Sequence, residues 1–244
     1  MIFRYSIFCL FFLQIICSKK VFAQLDMLKN MSISAQKKIN TDKPNTNYDI
    51  SKALSEALKV SAIKSCKNAS EVGGFGNNSN IRISFPNEII KVKKACIKIG
   101  LSSLISNFET KMNETAELVS ANATSTILET IQSLKFSDAI KILNGDSNSA
   151  TIFLRDNSYD DLYAAFLPEV KKQIDKTGVQ RNLSSILKKY NKIPMVKNVN
   201  FNLNNYITEK TIDGIFYLIS ENEKEIRENP KARTTEILKK IFNK

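Results

Sequence analysis

Along DISKALSEALKVSAIKSC, residues 49–66, Ile50, Leu54, Leu58 and Ile63 recur at roughly helical spacing, with Asp49 placed as an N-cap. EVGGFGNNSN then reads as a loop and IRISF as a few extended residues. Pro86 suits the first turn of the next helix, NEIIKVKKACIKI, which Gly100 ends. A further helix carries Leu104, Ile105, Phe108, Met112 and Val119 on one stripe. ATSTILETIQSL and SDAIKIL follow as separate shorter pieces, the second capped by Ser137 and closed at Gly145. ATIFLRDN, then YDDLYAAFLPEVKKQIDK with a kink at Pro168, then RNLSSILKKY continue the rhythm. NNYITEKTIDGIFYLISENEKEIRE reads as the longest helix, and TTEILKKIF closes the chain after Pro230. No alternating run is long enough to anchor a sheet. The pattern predicts an all-α, single-domain, multi-helix bundle of about eight or nine helices over residues 49–244.

Two segments before the bundle do not share its rhythm. MIFRYSIFCLFFLQIICSKKVFAQ has a charged start at Arg4, an apolar run from Tyr5 to Ile16, and small residues at Val21 and Ala23. That is the layout of a signal peptide, residues 1–23, cleaved after Ala23, and it places the mature protein in the periplasm or outside the cell. The apolar run is short for a membrane span, while Lys19 and Lys20 just after it leave an uncleaved anchor as the alternative. Residues 24–48 are polar and aperiodic, ending in TDKPNTN, and read as a flexible lead-in.

Composition narrows the chemistry. The chain of 244 residues carries a net charge of +12 and contains no His. Without His, the usual general base, the usual activator of a nucleophile and the commonest zinc ligand are all missing. The lysines are spread along every helix rather than gathered in one block. A solvated surface accounts for them better than nucleic acid does, and they give only weak support to a membrane surface. GGFGNN lacks the Gly-Lys-Ser/Thr ending of a phosphate loop, no calcium-loop spacing occurs, and no cofactor motif is present. Cys66 and Cys96 remain after the signal segment. In an oxidising compartment they form one bridge, or else they serve as two small buried apolar residues.

Three groups of polar residues stand out. In FETKMNETAE, Glu109, Asn113 and Glu117 lie about 100°, 140° and 180° around the helix from Phe108, drifting from the flank of the core stripe to its far side. Asp213 sits among Ile212, Ile215, Phe216, Tyr217, Leu218 and Ile219, so burial with a specific partner is expected for it. In a chain this rich in Lys, the few arginines mark places that need a planar, five-donor fork. Arg82 and Arg155, beside the apolar runs IRISF and TIFLR, are the expected partners of Asp213 inside the bundle. Glu223, on the polar stretch SENEKEIRE, is expected to be replaceable at little cost.

Taken together, GFGNNSNIRISFP, FETKMNETAE, DAIKILNGDSNSATIFLR, LYAAFLPEV, YITEKTIDGIFYLISENEKEIRENP and ILKKIF resemble the exported bacterial domain-of-unknown-function family forty-one ninety-seven, over about residues 49 to 243. The resemblance implies a single-domain, largely helical, periplasmic or secreted protein with no established activity. It also implies that Arg82, Asn113, Glu117, Asp138, Arg155, Asp213 and Arg227 form a polar network, structural rather than catalytic. The expected function is a non-catalytic binding or structural protein of the cell envelope, acting on an envelope partner or a small ligand. The alternative is an enzyme or metal site built from carboxylates and arginines, using Glu117, Asp138 or Asp213.

Overall fold

The structure, a computed structural model, describes residues 47–137 and 139–243. The expected signal segment, most of the lead-in and Asp138 lie outside the described residues. Within them the chain forms eight α-helices and two short 3-10 turns and no strand. The helices are α1 (Asn47–Ser70), α2 (Ile90–Lys98), α3 (Ser102–Ser133), α4 (Ala139–Asn144), α5 (Ser149–Thr177), α6 (Val179–Tyr190), α7 (Leu203–Glu228) and α8 (Glu236–Phe242).

α1 lies at the centre, packed against α3, α7, α4 and α8. Its buried face, Ile50, Ala53, Leu54, Ala57, Leu58, Ser61, Ala62, Ser65, Cys66 and Ala69, is rich in small side chains, which lets neighbouring helices approach closely. α5 packs on α3 and α7, and α6 on α3 and α2. Between α1 and α2, residues 71–86 cross the bundle as a strap without regular structure. Phe75, at the tip of its glycine turn, is completely buried. Gly214 on α7 makes that insertion possible, because a Cβ there would stand 2.6 Å from the Phe75 ring.

Three expectations about length are corrected. α3 runs unbroken for 32 residues through the stretch VSANATSTILETIQS, where two pieces were expected. Its small polar residues do not end it, because Ser120 and Thr130 turn their hydroxyls back to the carbonyls of Ala116 and Thr126. Ala123, Ile127 and Ile131 meanwhile continue the buried stripe. α5 likewise joins ATIFLRDN to YDDLYAAFLPEVKKQIDK in one helix with Pro168 inside it. Its stripe is buried on both sides of the proline, at Leu162, Phe166, Val170 and Ile174, so tertiary packing holds the segment together. At 26 residues α7 is therefore shorter than both α3 and α5.

Cys66 and Cys96 are separate, buried thiols. Cys66 faces Thr124 of α3, and Cys96 lies on α2, which packs on α6 and α3. Burial pushes the Cys66 thiol up to about 11, far above the range in which a thiolate forms at neutral pH. Alkylation of the native protein should therefore spare both, with peptide mapping finding label at Cys66 and Cys96 only after unfolding. A Cys66–Cys96 disulfide in the purified protein would contradict this packing.

Candidate functional site

Among the described residues, the polar side chains singled out above do not form one network. They are distributed over three places, and each has a distinct job.

The first is the far side of α3. Glu109, Asn113 and Glu117, one turn apart, each hold the main chain of the strap. Glu117 Oε1 accepts from Phe75 N–H at 3.1 Å and Gly76 N–H at 3.2 Å. Asn113 accepts from Ile83 N–H at 2.9 Å and donates to Ile83 C=O at 2.9 Å, with a second donation to its own helix at Glu109 C=O. Glu109 accepts from Phe85 N–H at 3.1 Å and from Lys93 Nζ at 2.7 Å. Asn113 and Glu117 are buried. The glycine-rich turn thus presents its N–H groups to an anion after all, but the anion is the chain's own Glu117 carboxylate. The far side of α3 is covered by a strap that offers bare main chain, and that chain needs polar partners when buried.

The second place was missed at the sequence level. Glu223, expected to be dispensable, is wholly buried. Its carboxylate accepts from Ala150 N–H (3.0 Å), Thr151 N–H (2.7 Å) and the Thr151 hydroxyl (2.6 Å), all at the start of α5. Asn148, at the N-cap position of α5, makes no side-chain cap bond, so Glu223 supplies the cap from another helix. Arg227, one turn on, pairs with Glu223 at 2.8 Å and donates to Leu143 C=O and Ile142 C=O at the end of α4. One acid–base pair on α7 therefore closes the positive end of α5 and the negative end of α4. Arg233 in turn donates to Ile226 and Arg227 carbonyls at the end of α7. The available signal was the Glu223/Arg227 spacing of four, with an arginine where this chain habitually uses lysine.

The third place is a groove of about 440 Å³ between the strap and α7, lined among others by Arg82, Ser84, Tyr206, Lys210, Asp213 and Tyr217. Tyr206, Lys210, Asp213 and Tyr217 follow one another at helical spacing and form a strip of α7 that nothing covers fully. Asp213 therefore does not lie inside the bundle, as its apolar neighbours suggested. It pairs with Arg155 of α5 at 2.6 Å, with both side chains somewhat more than a third exposed. Lys210 Nζ stands 3.6 Å from it. The Arg155 guanidinium lies over the rings of Tyr159 and Phe216, 5.0 and 5.4 Å from their centres. Arg82 does not reach Asp213 as a partner; its guanidinium lies 3.9 Å from Glu109 and is half exposed. Tyr206 donates its hydroxyl to Ser84 C=O, tying α7 to the strap.

Burial, with the Glu88 and Glu109 carboxylates nearby, pushes Tyr206 up to about 12 from the ordinary 10.0. The folded state thus keeps the Tyr206 proton where the unfolded chain releases it. Stability from this group is complete below pH 10 and is lost as pH rises towards 12. A Tyr206→Phe protein should show a shallower fall of melting temperature across that window than the wild type.

Among the described residues, no group of three or more His, Cys, Asp and Glu is placed to hold a metal ion, and no helix is long and apolar enough to cross a membrane. Glu117 is enclosed against the strap while Asp213 faces the open groove, so these two carboxylates do not converge on one reaction centre. A family model described as Protein of unknown function (DUF4197) matches residues 44–243. No curated protein and no solved structure matches the chain.

Proposed function

The chain belongs to the family described as Protein of unknown function (DUF4197), and from its groove we propose an exported, non-catalytic binding protein of the cell envelope. One observation carries the reading. The buried carboxylates and arginines are engaged with main-chain atoms, whereas the groove gathers Arg82, Lys210 and the Arg155-paired Asp213 beside two tyrosines in one open concavity. Exposed cations, a held carboxylate and aromatic faces in one concavity are a recognition surface. Export rests on the segment of residues 1–23 with its charged start and apolar run.

Cell fractionation with cross-linking in living cells tests both halves. A photoreactive amino acid in place of Tyr217 should give a defined adduct in the envelope or extracellular fraction, weakened by Arg82→Ala. The same group in place of Ile140, exposed on α4, should not give it. A protein retained in the cytoplasm, or equal adducts from both positions, would contradict the proposal.

A further inference from the structure

We infer that the groove takes an extended acidic peptide, added as a strand to the free edge of residues 82–84; the inference rests on the groove being the binding site. From Ile81 to Phe85 burial alternates, with Ile81, Ile83 and Phe85 inside and Arg82 and Ser84 exposed. That is the period of an extended chain, on which the main-chain groups of alternate residues point to opposite edges. One edge is closed. The Asn113 side chain takes both main-chain groups of Ile83, as a neighbouring strand would, and Glu109 takes the Phe85 N–H.

The other edge faces α7, as the Tyr206 bond to Ser84 C=O shows. Among the described residues, Ser84 N–H and Arg82 C=O have no hydrogen-bond partner. A donor and an acceptor so spaced are the pair that one residue of an added strand satisfies. Its N–H goes to Arg82 C=O, and its C=O accepts from Ser84 N–H.

Charge selects the partner. Arg82 and Lys210 each lie beyond hydrogen-bond distance of their nearest carboxylates, at 3.9 and 3.6 Å, so both can take a closer one. Without Arg4, Lys19 and Lys20 of residues 1–23, the net charge falls from +12 to +9, which still draws anionic partners in. Tyr217, 38% exposed, offers a ring face for a flanking apolar side chain.

The test is selection of short linear peptides from a random displayed library on the purified full-length protein. The selected peptides should be enriched in Asp and Glu. Affinity should fall about tenfold or more when one backbone position is N-methylated in a scan, and again with Arg82→Ala. Failure to select acidic peptides, or affinity indifferent to N-methylation or to Arg82→Ala, overturns the inference. So does binding of phosphatidylglycerol vesicles through Arg82 and Lys210 when no peptide binds. If cross-links from position 217 persist in cells while no peptide is selected, the groove stands and the strand falls. Loss of both overturns both.

Discussion

Glu223→Ala is expected to be the most damaging single substitution in the molecule, costing about 3–5 kcal/mol, or roughly 6–20 °C of melting temperature for a domain of this size. The carboxylate is wholly buried and accepts from two main-chain N–H groups, a hydroxyl and the Arg227 guanidinium. Alanine leaves the two N–H groups, the hydroxyl and Arg227 Nε without this acceptor. The guanidinium keeps the Leu143 and Ile142 carbonyls but loses its counter-charge, and it is nearly inaccessible. Glu223→Gln should fall between the wild type and Glu223→Ala, because its amide keeps one acceptor oxygen while turning an N–H pair towards existing donors. Asp213→Ala should cost about 1 kcal/mol or less, since its ion pair is more than a third exposed and screened by solvent. Thermal melts of the three proteins check the order. Asp213→Ala melting below Glu223→Ala would reverse the assignment of which carboxylate holds the fold.

The second large effect is expected at Asn113. Asn113→Leu, close in shape, removes the acceptor and the donor that hold Ile83 and leaves both main-chain groups buried, at about 2–4 kcal/mol. Asn113→Asp should do nearly as badly, because a carboxylate has no proton to give Ile83 C=O. Glu117→Gln is the mild counterpart, since the amide oxygen can still accept from Phe75 and Gly76. Denaturant unfolding separates them, and an Asn113→Leu protein as stable as Glu117→Gln would show that the strap does not need its clamp.

These orders also show what could be read from the chain and what could not. The helices were legible because their apolar stripes repeat every three or four residues, and the all-α architecture follows from them. Where the pattern suggested breaks, at VSANATS and at Pro168, burial on both sides carried the helix through, a contribution invisible locally. Asn113 and Glu117 pointed away from the apolar stripe, and what covers them is a loop. A loop supplies main-chain donors and leaves no periodic mark in the sequence. Asp213 and Glu223 exchanged their expected roles for a related reason. The apolar neighbours of Asp213 face other helices while Asp213 shares its strip with Tyr206, Lys210 and Tyr217. Glu221, Lys224 and Glu225 beside Glu223 are exposed, while Glu223 itself turns onto the start of α5, far away in the sequence.

The central claim is that side chains of α3 and α7 hold otherwise unpaired main chain, while one edge of the strap stays open for a ligand. Residue-resolved native-state hydrogen exchange of the full-length protein tests it most directly. Phe75, Ile83, Ala150 and Thr151 amides, outside any regular ladder yet bonded to buried side chains, should exchange as slowly as the helix interiors. Ser84, between the held amides of Ile83 and Phe85, should exchange fast. Fast exchange at Ile83 and Thr151, or protection of Ser84 equal to that of Ile83, would contradict the account.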